Sequence, residues 1–240
     1  MLSNLIITNI DIYEHSTGKN MVFQLLIMLL PWKLRRALLS WRYGWSIDKS
    51  ARIGKSLIFA KCVVMGANSR IHDMVFCRRI DRLVMGCDSG IASLTFITGI
   101  SSAGTKMYGH VKDRRCELVL GRSAGITSRH YVDCNGGVYV GDFSTVAGIR
   151  TQILTHSIDI YGNRQDAKPI KIGKYCFIGT GCILLPGSQL PDYSVLGAGS
   201  VLTKFLDQPG VLYAGAPARA VKKFNVAEVP YFHREKHFVD

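Results

Sequence analysis

Residues 172–202 read IGKYCFIGTGCILLPGSQLPDYSVLGAGSVL, with large aliphatics at every sixth place: Ile172, Ile178, Leu184, Leu190, Leu196 and Leu202. Four places after each of the first five stands a small residue: Cys176, Cys182, Ser188, Ser194 and Ser200. Gly173, Gly179 and Gly197 directly follow their aliphatics. A period of six is too short for a helix pair and does not match an amphipathic helix. Each hexapeptide reads as a short flat strand plus a corner. The aliphatic points inward, the small residue lets the corner close, and glycine relieves backbone strain there. Three such sides make a triangular coil of about 18 residues, and stacked coils bury a continuous aliphatic column. The expected fold class is therefore an all-β solenoid of parallel strands.

The same phase runs outward from this stretch, less regularly. Ile47, Ile53, Phe59, Met65 and Ile71 are spaced by six, with Gly54 and Gly66 placed as expected. Met85, Ile91 and Ile97 continue it, then Leu120, Ile126, Val132 and, after a two-residue slip, Val140 and Val146. Interruptions at 72–82, 98–117 and 153–171 read as slips or excursions from the coil. Loops held by a rigid scaffold are where chemistry tends to be placed.

Hydrophobic residues make up 48% of the 240, which excludes wholesale disorder. Lys plus Arg number 30 against 17 Asp plus Glu, a net charge of +13. That excess favours anionic partners: phosphorylated cofactors, acidic lipids or nucleic acid. The seven cysteines (62, 77, 87, 116, 134, 176 and 182) are odd in number and contain no C-x-x-C pair. They point to neither a disulfide framework nor a zinc ribbon, and fit a reducing compartment. The first strongly apolar stretch starts only at Met21 and lacks an A-x-A cleavage site, so no secretory signal is read.

Residues 141–224, from GDFSTVAGIRTQILTHSIDIYGNRQDAKPIKIGKYCFIG through to APARAVKKF, resemble the hexapeptide-repeat acyltransferases. The resemblance is closest to their galactoside, maltose and polysaccharide O-acetyltransferase branch. It implies a left-handed parallel β-helix, acetyl-CoA as donor, a sugar hydroxyl as acceptor, and a homotrimer with active sites between subunits. On this reading residues 1–46 form an N-terminal helical appendage and 47–207 the β-helix, with its excursion at 153–171. Residues 208–240 complete the CoA site and form a short C-terminal tail. The acceptor would belong to a surface polysaccharide or glycolipid, and the protein would be cytoplasmic.

His156 opens the excursion, and its context, THSID before GNR and KPIKIG, matches the family's catalytic loop. O-acetylation needs a base to take the hydroxyl proton as oxygen attacks the thioester carbonyl, and an imidazole suits that role. Backbone N–H groups lining the cleft would stabilise the oxyanion. Asp159 is as easily an ordinary loop carboxylate and stays outside the catalytic set. The resemblance places the pantetheine arm of the donor along Gly179, Thr180, Ala198 and Gly199. It places the nucleotide end against Thr203, Lys204, Arg219 and Lys222. Repeat corners need small residues in any case, so the first group is the less specific. The hexapeptide rule does not explain Thr203-Lys204 or AGAPAR at 214–219. Phe177 stands where galactoside acetyltransferases carry a tryptophan, and Asn135 falls near an acidic acceptor-binding position; both are expected at the acceptor.

Other patterns compete less well. Gly121-Arg-Ser123-Ala-Gly125 matches a nucleophile elbow and precedes Asp133 and His156 in hydrolase order. An elbow must open a helix, whereas ITSRHYVDCNGGVYVG is rich in β-formers and glycine. Gly54-Lys55-Ser56 has Lys49 where a P-loop needs its first glycine. His233 and His237 are spaced by four without an evident third ligand, so no metal is expected. Cys176 and Cys182, at inward positions, read as packing. A catalytically silent solenoid used for binding or assembly is the remaining non-enzyme alternative.

Residues 21–32, MVFQLLIMLLPW, are apolar apart from Gln24, and too short for the ~20 residues of a spanning helix. Lys33, Arg35, Arg36, Arg42, Lys49, Arg52 and Lys55 follow, opposed only by Asp48, and Trp32, Trp41 and Trp45 all lie here. Apolar residues, indoles and cations suit the interface of an anionic membrane, which would place the protein peripherally on the inner face. They suit equally a helix that caps the first coil. Nucleic-acid binding is not expected, because no recognised motif accompanies the charge.

Overall fold

The computed structural model describes residues 20–102 and 106–235. Parallel strands wind into a three-faced prism, a left-handed parallel β-helix. On the first face Glu117–Leu120, Val138–Val140, Ile170–Ile172 and Gln189–Leu190 stack in register. The second face carries Arg52–Ile53, Arg70–Ile71, Gly90–Ile91, Gly125–Ile126, Thr145–Val146, Phe177–Ile178 and Val195–Leu196. Phe96–Thr98, Tyr131–Asp133, Gln152–Ile153, Ile183–Leu184 and Val201–Leu202 form the third. Ile172, Ile178, Leu184, Leu190, Leu196 and Leu202 are all buried, and so are the small residues between them. Ile53 pairs with Ile71, eighteen residues on, which is one turn of the prism.

One sequence expectation fails near the start. Phe59 is not an inward residue: Ile58 is buried and Phe59 points outward, its ring 5.9 Å from that of Phe76. The reason is a long strand, Leu57–Met65, that crosses from the third face to the first without a corner and absorbs a register shift at Phe59/Ala60. Of the two readings of 72–82, slip or excursion, the slip holds: Phe76–Met85 is a second continuous strand on the first, and the buried Cys77 and Met85 are eight residues apart. The true interruptions share one edge. The excursion after Thr98, the Cys134–Gly137 slip and the excursion after Ile153 all leave the third face and return on the first.

The first coil is covered by helical residues 20–27 and the helix Trp32–Tyr43. Gly44, at φ 68°, ends that helix in the left-handed conformation and donates its N–H to the Ser40 carbonyl. Ile27, Leu39 and Trp45 join the aliphatic column. Gln24 donates to the Ile58 carbonyl at 2.6 Å and accepts from the Ile58 N–H at 2.9 Å. Trp32 donates to the Ala51 carbonyl, and Arg35 to those of Ile53 and Ser56. These bonds satisfy backbone groups that an open strand edge would leave unpaired. Arg35 is therefore buried against the first coil and not offered to a membrane, one of the two readings its sequence context left open. Arg36 likewise donates to the Ile47 carbonyl.

At the other end Val211–Ala214 pairs antiparallel with Arg219–Lys223. Residues 224–235 of the short C-terminal segment pack back on the solenoid. Phe232 is buried against Tyr193 and Phe224, beside a stack of Phe143, Tyr175 and Tyr193.

Candidate active site

The site grows from the edge where the third face turns into the first. At that turn Gly136 lies so close to the next excursion that a Cβ there would meet the Lys168 carbonyl oxygen at 2.6 Å. Gly137 follows at φ +92°. The pair of glycines lets an antiparallel hairpin, His156–Asp159 with Arg164–Ala167, stand directly above the turn.

Asp133, the last residue of its strand, has a fully buried side chain. Five N–H donors converge on its carboxylate. The backbone N–H groups of Thr155 and His156 donate to Oδ2 at 2.8 and 3.0 Å, and His156 Nδ1 lies 2.6 Å from the same oxygen. The backbone and side-chain amides of Asn135 donate to Oδ1 at 3.0 and 2.6 Å. A carboxylate only accepts, so Nδ1 carries the imidazole proton and Nε2 keeps its lone pair. The 3.4 Å approach of Asn135 Nδ2 to His156 Nδ1 then joins two donors and is no hydrogen bond. The His156 side chain is 40% exposed. A buried carboxylate thus fixes the tautomer and orientation of a solvent-facing imidazole.

The lower excursion braces this corner. Arg114 donates to the carbonyls of Ile100 and Asn135, both at 2.9 Å, and packs over the Tyr108 ring at 4.5 Å. Burial, reinforced by Asp133 and Cys116 and opposed by Arg114, pushes the Tyr108 hydroxyl up to about 12, so it stays neutral.

Asn135, expected at the acceptor, is buried. Its Oδ1 accepts from the Ile100 N–H at 2.8 Å while its amide donates to Asp133. Both polar atoms are thus committed within this corner. Phe177 sits on the second face with its ring edge-on to Tyr231 at 6.0 Å, on a different face from the His156 edge. Gly179, Thr180, Ala198 and Gly199 line the edge between the second and third faces. Gly179 is small because the next coil requires it: a Cβ would meet the Ala198 nitrogen at 2.7 Å. The Thr180 hydroxyl donates to the Ile149 carbonyl, whereas Ala198 and Gly199 are exposed. Thr203 and Lys204 return to the His156 edge two coils beyond the hairpin, and Arg219 and Lys222 lie exposed on the terminal strand. One chain therefore splits the expected donor residues between two edges. A surface depression of about 400 Å³, lined by Tyr139, Lys171, Gln189 and Asp192 among others, lies on the first face and does not include His156.

Ser123 is buried in a turn that leads into strand Gly125–Ile126, so no helix follows it and the elbow is not formed. Asp159 accepts from Gly162 N–H and Arg164 Nε within its own hairpin. His233 contacts the Val226 carbonyl, and His237 lies outside the described residues. Among the described residues no cluster of three His, Cys, Asp or Glu could hold a metal ion.

A three-faced left-handed solenoid is the fold of the hexapeptide-repeat acyltransferases, which the chain resembles in fold and in part of its sequence. No family model matches it. It is 37% identical to the galactoside O-acetyltransferase of Escherichia coli (strain K12) over 67 residues, 28% of this chain and 32% of that protein. The chain thus matches about a third of the length of the curated relatives it resembles. Its fold is similar to that of the polysialic acid O-acetyltransferase OatWY, with a TM-score of 0.57 and 18% identity, covering 75% of this chain and 84% of that one. It is also similar to AntD, an N-acyltransferase from Bacillus cereus, solved as a variant in complex with dTDP-4-amino-4,6-dideoxyglucose and coenzyme A. There the TM-score is 0.52 and the identity 19%, covering 81% of this chain and 92% of that one.

Proposed function

We propose that the chain is an acetyl-CoA-dependent O-acetyltransferase that modifies a sugar hydroxyl of a surface polysaccharide or glycolipid in the cytoplasm. The observation that carries this reading is the 2.6 Å contact between His156 and the fully buried Asp133. Similarity to sugar O-acetyltransferases supports the reaction class.

The chemistry follows from the tautomer. Nε2 of His156 takes the proton of the acceptor hydroxyl as its oxygen attacks the thioester carbonyl. The C–O bond forms, the tetrahedral oxyanion collapses, and the C–S bond breaks. The proton then passes from the imidazolium to the departing thiolate, which restores the base. Asp133 stabilises the transient imidazolium without becoming protonated itself, because His156 Nδ1–H already points at it.

A homotrimer accounts for the split donor set. The outward column of the third face runs Phe76, Phe96, Tyr131, Gln152, Ile183 and Val201 coil by coil, apolar but for Gln152 and the Tyr131 hydroxyl. Phe96 is half exposed in one chain. Three copies packed on this face about a three-fold axis bring the His156 edge of each against the Gly179, Thr180, Ala198 and Gly199 edge of the next. Thr203, Lys204, Arg219 and Lys222 then hold the phosphates of the donor. The reading is tested by incubating the purified chain with acetyl-CoA and a panel of sugars and glycolipids. Free thiol and an acetyl mass increment on one acceptor class are expected. A chain that binds no CoA and releases no thiol with any acceptor is a silent solenoid.

A further inference from the structure

The N-terminal cap has two apolar sides, and the solenoid uses only one. Phe23, Ile27, Leu30, Trp32 and Leu39 pack on the first coil. On the opposite side of the first helical segment Met21, Val22, Leu25, Leu26 and Leu29 are exposed, the last two by 71% and 88%. In the Trp32–Tyr43 helix the outward positions are Lys33, Leu34, Ala37, Trp41 and Arg42, with Trp41 78% exposed. A helix apolar all round is normally covered on all sides. Both segments lie against residues 47–58, so both outer sides face away from the end of the solenoid.

Charge identifies the occupant. No Asp or Glu occurs between residues 20 and 47, while Lys33 and Arg42 stand exposed beside the apolar row. Arg35 and Arg36 are excluded from this role, since both are spent on backbone carbonyls. Leucines flanked by an exposed indole and two exposed cations, Arg42 with its guanidinium 5.4 Å from the Tyr43 ring centroid, match the interface of an anionic bilayer. Neither described helical segment is long and apolar enough to cross it. We infer that the cap is an interfacial anchor that lays the end of the solenoid on an anionic membrane surface through Leu25, Leu26, Leu29 and Trp41, with Lys33 and Arg42 meeting lipid headgroups.

The full chain is mixed with vesicles of phosphatidylcholine alone or with phosphatidylglycerol added, then sedimented. Binding to the anionic vesicles is expected, with a blue shift of tryptophan emission that Trp41→Phe removes. Leu26→Glu with Leu29→Glu should lower vesicle affinity at least tenfold. Lys33→Gln and Arg42→Gln should each lower it about fivefold, as one headgroup contact per cation implies. These side chains lie outside the solenoid core, so melting temperature, oligomeric state and transfer to a soluble acceptor should be unchanged. An intact chain that stays in the supernatant with anionic vesicles overturns the inference. So does a Leu26→Glu, Leu29→Glu variant that binds as wild type. A change in oligomeric state in that variant would assign the face to a second copy instead. None of these outcomes bears on acetyl transfer itself.

Discussion

Replacing Asp133 with Asn removes one charge from the most heavily bonded side chain of the site. Three N–H donors, from Thr155, His156 and the imidazole, converge on Oδ2 and two from Asn135 on Oδ1. The amide oxygen will face the three, because the reverse orientation opposes more donors. Its NH₂ then confronts the two Asn135 donors, and Asn135 cannot turn without releasing the Ile100 N–H. Orphaning a buried donor costs ~1–3 kcal/mol, so two cost about 2–6 kcal/mol. Most of that range lies below a typical stability of about 5–15 kcal/mol, and a folded variant with a lowered melting temperature is expected. Its imidazole keeps the right tautomer, but the imidazolium formed during attack loses its counter-charge. Turnover should fall by about 10² or more, within the roughly 10²–10⁴ that a general base supplies. The Michaelis constant for acetyl-CoA should stay within about twofold, because the lost interaction is made only in the transition state. The assay is steady-state thiol release, with circular dichroism for folding. Asp159→Asn, confined to hairpin contacts, should leave turnover near wild type. A folded Asp133→Asn variant with undiminished turnover would refute the reasoning.

Lys204→Ala and Arg219→Ala should raise the Michaelis constant for acetyl-CoA more than they lower turnover, because remote phosphates are held alike in ground and transition states; added salt should mimic them in titrations of CoA binding. His130 is buried with Nδ1 accepting from the Thr151 N–H, and burial lowers its pKa to about 4. Above about pH 6.5 the ring is neutral whether folded or unfolded; below it the unfolded ring binds a proton that the folded one refuses, so stability falls until about pH 4, by about 3 kcal/mol. Denaturant midpoints should show that slope, and His130→Gln should flatten it. Burial pushes the thiols of Cys116 and Cys176 up to about 12, whereas Cys62 and Cys87 are exposed. Iodoacetamide should therefore label only Cys62 and Cys87 in the native chain by peptide mapping.

The solenoid was legible because one rule, an inward aliphatic every six residues, repeats with no competing period from Ile172 to Leu202. It blurred at Phe59 because a strand that runs through a corner shifts the phase by one, and the shift leaves no Gly or Pro behind. His156 was visible as the residue opening an excursion. Asp133 was read only as part of a hydrolase order, although the two-residue slip after Val132 marks its corner and the DCNGG sequence fills it. Asn135 was placed at the acceptor because position alone does not show that Ile100 and Asp133 occupy its amide. Arg114 and Tyr108 lie in an excursion without periodicity, so only the fold brings them to the corner. The division of the donor residues between two edges depends on which face each corner joins, and a six-residue repeat looks the same at all three.

The most direct measurement on the central claim is acetyl-CoA turnover by His156→Ala beside wild type, with CoA affinity determined calorimetrically on the same preparations. Transfer should drop by about 10²–10⁴, the range for removing a general base, while CoA binds almost as before. A folded His156→Ala protein that releases thiol at the wild-type rate would contradict the assignment of His156 as the base.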